Sequence, residues 1–200
     1  MIKLYDSALS GNCHKVRMML RFLDLEYEVV PMNWATGDQK LDWYTKINPR
    51  AQLPALDDDG TIVWDSQAIL VYLARRYDES GSWFPGDPMT MTKVMQWLML
   101  ANEEIAALAW ARVTVLMKQP RDRLGELQAK GRAGLTVLEA TLADHLWLAG
   151  TDHPTIGDVA CFPYAGMAAQ GEIDLDAYPK VQAWIERIKA LPKYTPMPGL

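Results

Sequence analysis

The chain has 200 residues, 50% of them apolar, and its 20 basic and 25 acidic side chains give a formal net charge of −5. A chain of this length and composition can bury a core without disulfides or a structural metal, which excludes fibrous, disordered and mini-protein classes. The charges are spread along the chain and no basic face stands out, so we expect no nucleic-acid partner.

The sequence predicts neither a membrane segment nor a secretory signal. Its longest apolar stretches fall far short of the roughly 20 residues that span a bilayer. Residues 1–6 contain no cationic segment followed by an apolar one, so we expect a cytoplasmic location and no membrane partner. Only Cys13 and Cys161 are present, and neither has a ligand at metal-binding spacing, so we predict no disulfide framework and no metal site.

The first 80 residues predict strands and helices in the order βαβαββα. Apolar residues at 16, 19, 20 and 23 keep the spacing of one helix face and lie between two β-like runs. A weaker helical pattern covers 37–45, and then two strands flank the turn sequence Asp57-Asp58-Asp59-Gly60, as in an antiparallel hairpin. The predicted strands cover 2–5, 26–30, 53–56 and 61–64. This order packs as a four-stranded mixed sheet with helices on its faces.

The chain changes character near residue 80. Residues 79–88 contain a Ser-Gly-Ser run and two prolines, which is typical of a linker. Beyond the linker, helical patterns cover 89–117 and 121–144, begin again near 155, and cover 179–191. The sequence therefore predicts an α/β domain over 1–78, a linker over 79–88 and an all-helical domain over 89–200.

Three features of the first domain bear on chemistry, and each has two interpretations. Pro54 interrupts a predicted strand, so it either begins that strand or follows a cis peptide bond, and the rarity of cis bonds alone favours the trans form. The segment Ser10-Gly11-Asn12-Cys13 opens a helix, where it caps the helix or helps to bind an anion. Asp65-Ser66 opens another helix, where the pair caps the helix or holds both charges of a zwitterion.

Together these segments resemble the N-terminal domain of the cytosolic glutathione transferases, and the rest of the chain resembles that family's helical domain. The matching segments, in order, are Leu4-Tyr5, Ser10-Gly11-Asn12-Cys13-His14-Lys15-Val16-Arg17, Asn48-Pro49, Gln52-Leu53-Pro54-Ala55-Leu56 and Trp64-Asp65-Ser66-Gln67-Ala68-Ile69. Each motif alone is degenerate, and their order and spacing carry the match. The resemblance implies a thioredoxin-like domain followed by an all-helical domain, a homodimer, and a cis bond before Pro54.

The resemblance also implies a binding site for glutathione as co-substrate, without a metal. Ser10 falls where the theta and zeta classes keep a catalytic serine, and Asn12 is a second candidate donor to the thiol. Leu53 would pair its backbone with the cysteinyl part of glutathione, while Asp65 and Ser66 would hold its γ-glutamyl end. The remaining residues implied in binding glutathione are Gln39, Lys40, Gln52 and Pro54.

The second-substrate pocket is expected on the predicted helix 89–117. Trp110 and Arg112 would line it, and solvent exposure is the alternative for Arg112. The other Met and Trp residues of this helix are expected mostly in the core. Thr155-Ile156-Gly157-Asp158 resembles the family's capping box, to which we assign a role in folding.

Several residues near these motifs are expected to have no catalytic or binding role. Tyr5 is expected in the core of the first domain. Cys13 has the spacing of a Cys-x-x-Cys motif whose first cysteine is replaced by Ser10; we expect its burial, and a mixed disulfide stays open. The three histidines, His14, His145 and His153, share no spacing typical of a metal site or a catalytic triad. We expect them at the surface or in loops.

The implied chemistry is activation of a bound thiol. A free thiol has a pKa of about 8.5, so little of it is thiolate at neutral pH, and a hydroxyl donor beside a helix N-terminus lowers that value. We expect an enzyme that directs glutathione at a small apolar electrophile or a peroxide, or uses it in dehalogenation. The alternative is a binding or interaction module with little or no turnover. The sequence leaves open the electrophile and which of Ser10, Asn12 and Cys13 touches the sulfur.

Overall fold

The N-terminal part of the protein is an α/β unit built on a four-stranded sheet. The computed structural model describes residues 1–200, and its strands are β1 (Ile2–Asp6), β2 (Tyr27–Pro31), β3 (Ala55–Asp58) and β4 (Thr61–Trp64). Its helices are α1 (Gly11–Phe22), α2 (Asp42–Thr45), which follows a 3-10 turn at Asp38–Lys40, and α3 (Ser66–Tyr77). The strand order is β2-β1-β3-β4, with β1 and β2 parallel and the other pairs antiparallel. This confirms the predicted βαβαββα order and the thioredoxin-like fold.

Alternation along the strands divides the side chains of the sheet between two cores. Successive residues of a strand point to opposite faces. Leu4 and Leu56 belong to the large core, whereas Tyr5 and Ala55 belong to a small cluster with Tyr44 of α2. The sheet is therefore packed on both faces. This packing fixes the strand ends from which the connecting loops begin.

Five helices form the rest of the protein. They are α4 (Pro88–Asn102), α5 (Glu104–Leu116), α6 (Leu124–Asp144), α7 (Ile156–Gly166) and α8 (Pro179–Lys189). The prediction of one helix over 89–117 is wrong, because the backbone leaves the helical region at Glu103, with φ −108° and ψ −83°. The Glu103 carboxylate accepts a hydrogen bond from Lys130 of α6 at 2.8 Å, a tertiary contact that no local pattern reveals.

The connection between the two parts runs from the end of α3 to the start of α4. Residues 78–87 form turns and extended chain without helix or strand. The division into domains at 1–78 and 89–200 stays a prediction, since one hydrophobic core includes residues from both sides of the connection. None of the helices combines the length and apolar character needed to cross a membrane.

Helix α7 packs against α1, α4, α5 and α8 and is buried along nearly its whole length. The predicted capping box at its start is confirmed: Thr155 Oγ1 accepts from the Gly157 N–H at 3.2 Å, and the Asp158 carboxylate accepts from the Thr155 N–H at 2.9 Å. Asp158 is completely buried, and it also accepts from the Leu148 N–H and the Trp184 Nε1–H, each at 3.0 Å. One carboxylate thus ties α7 to α8 and to the segment before α7.

The expected burial of Met and Trp residues on α4 is correct for Trp97, which is buried, and for Met91, which packs against the core. It is wrong for Met95 and Met99, which are exposed, and Trp110, expected at the second-substrate pocket, is exposed as well. Helical spacing puts these side chains on defined faces, yet it does not show whether another element covers each face. These exposed apolar side chains are therefore available to a ligand or a partner chain.

The surface position expected for His14 is also wrong. His14 lies on α1 and is completely buried, with its ring edge-on to that of Tyr194 in the C-terminal segment. Burial lowers the pKa of His14 to about 3, so the ring is neutral at physiological pH. The other two histidines, His145 and His153, lie outside the helices and strands, as predicted.

Candidate functional site

Three loops meet at one edge of the sheet. In the strand register, Tyr5 of β1 lies opposite Ala55 of β3, and Ala55 lies opposite Trp64 of β4. Three segments are therefore neighbours. They are the loop after β1, the Leu53–Pro54 pair before β3, and Asp65 after β4. These are the segments that contain the predicted thiol donors, the cis proline and the γ-glutamyl ligands.

Ser10 is the N-cap of α1. Its backbone is extended, with φ −84° and ψ 120°, and its Oγ accepts a hydrogen bond from the Cys13 N–H at 3.3 Å. Capping uses a lone pair of the hydroxyl oxygen and leaves the hydroxyl proton free. The same side chain can therefore cap the helix and donate to an anion, and the positive end of the α1 dipole favours that anion.

Cys13 is buried, as predicted. Its side chain is completely inaccessible, and its Sγ accepts from the Ser7 N–H at 3.4 Å. Burial raises the pKa of the Cys13 thiol to about 12. Because the thiolate is the reactive form of a cysteine, Cys13 supplies no nucleophile at neutral pH, and the mixed-disulfide interpretation loses its support.

The Leu53–Pro54 peptide bond is cis, as the resemblance implied. The residue before this pair is held by two side chains, because the Gln52 carbonyl accepts from the Tyr44 hydroxyl at 2.7 Å and from the Asn48 amide at 2.8 Å. The Gln52 side chain itself is exposed. These two donors hold the loop in place, and the sequence patterns did not assign them that role.

Asp65 caps α3 from a left-handed backbone conformation, with φ 75°, and its Oδ1 accepts from the Gln67 N–H at 3.0 Å. Its Oδ2 accepts from Arg50 Nη1 at 3.1 Å, while the buried Ser66 hydroxyl donates to Gln67 Oε1 at 2.5 Å. Capping is thus confirmed for Asp65. A carboxylate beside an arginine and a helix N-terminus also provides the charges that a zwitterion needs. Sequence reasoning missed Arg50, since a single arginine in a loop is ordinarily a solvated charge.

Gln39 and Lys40 lie in the 3-10 turn before α2. Gln39 is buried and its Oε1 has no hydrogen-bond partner in the protein, whereas Lys40 is exposed. Buried side-chain polar atoms nearly always have a partner. An amide can offer its oxygen to an N–H or its nitrogen to a carboxylate, and a lysine can pair with a carboxylate. The two residues therefore suit a small peptide that ends in a carboxylate.

Arg112 reaches the loop after β1 from α5. Its Nη1 donates to the Leu9 carbonyl at 3.1 Å and its Nε donates to Gln170 Oε1 at 2.5 Å. The side chain is buried, so the solvent-exposed alternative is wrong. Trp110 and Leu9 are instead 53% and 58% exposed. The helical part of the protein thus holds the loop of Ser10 directly through Arg112.

Comparison with known proteins agrees with this geometry. Residues 4–81 match the family model for the glutathione S-transferase N-terminal domain, and residues 105–187 match the model for the glutathione S-transferase C-terminal domain. Glutathione S-transferase 1 of Manduca sexta is 30% identical over 197 residues, which cover 96% of this chain and 89% of that protein. The chain belongs to the glutathione S-transferase family.

Solved structures of glutathione S-transferases extend the likeness to the whole chain. The enzyme from Pseudomonas fluorescens Pf-5 superimposes with a TM-score of 0.92 at 33% identity and covers 98% of both chains. The one from Xanthobacter autotrophicus Py2 superimposes with a TM-score of 0.91 at 29% identity and covers 100% of this chain and 98% of that chain. Both the thioredoxin-like part and the helical part therefore follow the glutathione transferase fold.

One residue beside the candidate site lies in the helical part and was not predicted. Tyr164 of α7 is 8% exposed, and its hydroxyl accepts from the Asn12 N–H at 3.1 Å. An aromatic residue in a continuous apolar helix is normally interpreted as core. Its contact with the start of α1, which lies 152 residues away in sequence, becomes visible only in the folded chain.

Proposed function

We propose that this protein is an enzyme that binds glutathione, stabilises its thiolate through Ser10 with Asn12 as a second donor, and directs it at an apolar electrophile or a peroxide. The hydroxyl of Ser10 carries the proposal, because it caps α1 through its oxygen and keeps its proton for a sulfur. A donor and a helix N-terminus both favour the thiolate over the thiol. In this proposal the enzyme works in the cytoplasm in detoxification.

The rest of glutathione is proposed to lie along the three loops at the sheet edge. The backbone of Leu53, before Pro54, pairs with the cysteinyl part, and Asp65 with Ser66 holds the γ-glutamyl end. The glycyl carboxylate is assigned to Gln39, Lys40 and Gln52. Support comes from the exposed ammonium of Lys40, which can pair with a carboxylate, and from the unpartnered Oε1 of Gln39, which can accept a backbone N–H of the bound tripeptide. The carboxylate of Asp65 at the start of α3 can pair with the ammonium of the γ-glutamyl end.

Asp65→Ala should raise the KM for glutathione by about tenfold or more, since a hydrogen bond to a charged group contributes roughly 1.5 to 3 kcal/mol. The value of kcat should change little, because the γ-glutamyl end is remote from the reacting sulfur and binds alike in the ground and transition states. Steady-state kinetics with varied glutathione measures both constants.

Asp87→Ala is the matched control for the loss of a helix cap. Asp87 caps α4 by accepting from the Thr90 N–H at 2.9 Å, as Asp65 caps α3. The control variant should lose a similar amount of stability, about 1 kcal/mol, and keep the wild-type KM. An unchanged KM in Asp65→Ala, or an equal rise in Asp87→Ala, would contradict a binding role for Asp65.

The second substrate is proposed to lie between α5 and the loop after β1. Trp110 on α5 and Leu9 in the loop are exposed apolar side chains, and Arg112 ties the two elements together. An open groove of about 340 Å³ adjoins the same loop on its β2 side, where Leu9 and Met32 line it together with Asp6 and Asp38. Flat and flexible apolar side chains suit electrophiles of varied shape.

A binding module with little turnover is the second candidate, and two measurements separate it from the enzyme. The first is retention on glutathione-agarose with elution by free glutathione. The second is turnover of a chlorinated nitroaromatic and of an organic hydroperoxide. Retention with turnover supports the enzyme, and retention without turnover on either electrophile supports the binding module. Failure of retention together with absent turnover would contradict the glutathione site itself.

We also propose that the protein forms a homodimer. Support comes from exposed apolar side chains on the edge strand β4 and on α4, namely Ile62, Trp64, Met95 and Met99. Sedimentation equilibrium at micromolar concentration should give twice the chain mass of 22.6 kDa. Met99→Lys should shift the distribution toward monomer, because burying an unpaired charge in an interface is costly. A wild-type protein that sediments as a monomer would contradict the dimer.

A further inference from the structure

Arg112 is a buried cation without a counter-ion. It reaches the loop after β1 from α5, and both of its acceptors, the Leu9 carbonyl and Gln170 Oε1, are neutral. Its guanidinium takes part in none of the ion pairs of the protein. An arginine keeps its proton at physiological pH, so this charge is permanent. Because buried charges are normally paired, an uncompensated positive charge at this place needs an explanation.

The helical part of the protein fixes the position of this charge. Gln170 lies in the 3-10 turn Ala168–Gly171, which packs so closely on α5 that a Cβ at Gly171 would lie 3.1 Å from the Arg112 backbone nitrogen. The Gly171 carbonyl also accepts from the Gln128 amide of α6 at 3.0 Å. The guanidinium is therefore held by a turn that is itself anchored to two helices.

A second arginine holds the same loop, but its charge is cancelled within the protein. Arg17 of α1 donates to the Ala8 carbonyl at 3.2 Å, one residue before the carbonyl that Arg112 holds. Arg17 is also paired with the buried Asp6 carboxylate at 2.5 Å. The two arginines thus hold consecutive carbonyls just before Ser10, and together with Asp6 they leave one net positive charge beside the loop.

The titratable groups packed around Arg112 do not neutralise it. Tyr164 of α7 is buried, and burial raises the pKa of its phenol to about 12, so it keeps its proton at neutral pH. Glu172, which follows the turn of Gln170, is exposed and paired with Arg121. The counter-ion of Arg112 is therefore not supplied by a neighbouring side chain.

The groups around the Ser10 loop itself make its buried side positive. The Cys13 thiol is protonated at neutral pH, because burial raises its pKa to about 12. Lys15 is a further buried cation, and burial lowers its pKa to about 8, which leaves it mostly protonated at neutral pH. Asp38 lines the groove on the β2 side, where its two oxygens accept from the Asn33 N–H and from a threonine hydroxyl, each at 2.7 Å.

We propose that Arg112 is the counter-charge of the glutathione thiolate and stabilises that anion when glutathione is bound. The inference rests on the proposed function, in which the sulfur lies beside Ser10. Bond lengths between the Leu9 carbonyl and Ser10 Oγ place the guanidinium within about 12 Å of a sulfur bound to that hydroxyl. At an effective dielectric constant of about 20, a unit charge at this distance lowers the pKa of a thiol by about 1 unit, and by less where solvent screens it.

Arg112→Gln tests the proposal, because it removes the charge and keeps an amide that can donate to the Leu9 carbonyl. We expect the pKa of the bound glutathione thiol to rise by about 0.5 to 1 unit. Below the wild-type pKa, kcat/KM should fall about three- to tenfold, and the difference should shrink above the raised pKa. The KM for glutathione should stay within about twofold, since the two ends of the tripeptide bind elsewhere.

Two measurements on the same variants give these quantities. The thiolate absorbance titrated against pH reports the sulfur alone, so the titration of Lys15 does not enter it. Steady-state kinetics at the same pH values give kcat and KM. Circular dichroism and Tm verify that each variant is folded. If Arg112→Gln does not fold, Arg112→Met, which also removes the charge, takes its place with the same expected shift.

Two further variants separate the charge of Arg112 from a general structural effect. Arg121→Gln is the matched control, since it removes an exposed arginine that is paired with Glu172 beside the turn of Gln170, and its titration should be that of wild type. Arg112→Lys keeps a cation with a different hydrogen-bonding geometry. It should recover at least half of the pKa shift seen in Arg112→Gln.

Binding of two glutathione analogues gives a readout that does not depend on turnover. Glutathione sulfonate has a permanent negative charge at the position of the sulfur, whereas S-methylglutathione is neutral there. Arg112→Gln should weaken the affinity for the sulfonate about three- to tenfold and change the affinity for S-methylglutathione by less than about twofold. Isothermal titration calorimetry measures both. An equal loss for the two analogues would contradict the counter-charge role.

The outcomes for Arg112 and for the proposed function are distinguishable. If Ser10→Ala moves the thiolate titration and Arg112→Gln does not, the inference is wrong and the proposed function stands. If only Arg112→Gln moves it, the role of Ser10 fails and the inference stands; if neither does, both fail. An equal shift in Arg121→Gln, or an Arg112→Lys titration like that of Arg112→Gln, would overturn the inference, because the shift would not depend on a cation at this position. A wild-type protein that does not bind glutathione would contradict the proposed function and the inference with it.

Discussion

Replacing Ser10 with alanine should lower kcat/KM at neutral pH by about ten- to a hundredfold, because a hydrogen bond to a charged group contributes roughly 1.5 to 3 kcal/mol. The pKa of the bound glutathione thiol should rise, so less of it is thiolate at pH 7. The affinity for glutathione should remain close to that of wild type, since its two ends bind elsewhere. Titration of the thiolate absorbance against pH, with and without the substitution, measures the shift directly.

Ser10 has two roles, helix cap and proposed donor to the thiol, and substitutions can distinguish them. Ser10 Oγ accepts the Cys13 N–H, so alanine also removes a cap that contributes about 1 kcal/mol to stability. Ser10→Thr keeps a hydroxyl and a capping residue, and it should retain most of the activity. A near-normal rate in Ser10→Ala would transfer the role to Asn12, which Asn12→Ala then tests. If neither substitution moves the titration, thiol activation at this loop is wrong and the binding module is favoured.

Replacing Asp158 with alanine should lower the free energy of unfolding by about 3 to 5 kcal/mol, because several buried donors lose their acceptor at once. The substitution leaves the N–H groups of Leu148 and Thr155 and the Nε1–H of Trp184 buried without their acceptor. Each unsatisfied donor costs roughly 1 to 3 kcal/mol. Urea unfolding followed by circular dichroism and by tryptophan fluorescence measures the change.

Asp176→Ala is the control for this stability measurement. Asp176 is an exposed aspartate in the segment before α8, and surface substitutions of this kind change stability by about 0.5 kcal/mol or less. Both variants remove one aspartate side chain, so a difference between them reports the buried hydrogen-bond network rather than the loss of a carboxyl group. A loss of less than about 1 kcal/mol in Asp158→Ala would show that the donors find other acceptors. It would contradict the expected contribution of the Asp158 hydrogen bonds to the free energy of unfolding.

Helix α7 contacts both regions that the Ser10 and Asp158 substitutions test. Its first turn contains Asp158, which ties it to α8, and two turns later Tyr164 contacts the start of α1. Pro163 lies between them inside the helix. One helix of the second unit therefore contacts both the core of that unit and the start of α1, next to the candidate site.

The amino-acid sequence alone determined the features that depend on neighbouring residues. Alternation and turn residues were enough to predict the hairpin of β3 and β4, with the bounds of β4 correct to the residue. Helix starts were located at Ser10–Asn12, Asp65–Ser66 and Thr155, because capping needs a side-chain oxygen two or three residues before an N–H. The structure shows that the capping oxygens belong to Ser10, Asp65 and Thr155. The order of these local motifs then indicated the family and the region of the candidate site.

Contacts between distant residues were decided only by the tertiary structure. The break at Glu103 accompanies an ion pair with Lys130, and His14 is buried because the C-terminal segment covers it. Arg112 was expected in a substrate pocket, and only the tertiary structure shows that its Nε and Nη1 donate to Gln170 and to the Leu9 carbonyl. Sequence patterns specify which face of an element a residue occupies, whereas its partner depends on which other element packs against that face. The contact of Tyr164 with the start of α1 is of this second kind, since its hydroxyl meets the Asn12 N–H only after the two parts of the chain have packed together.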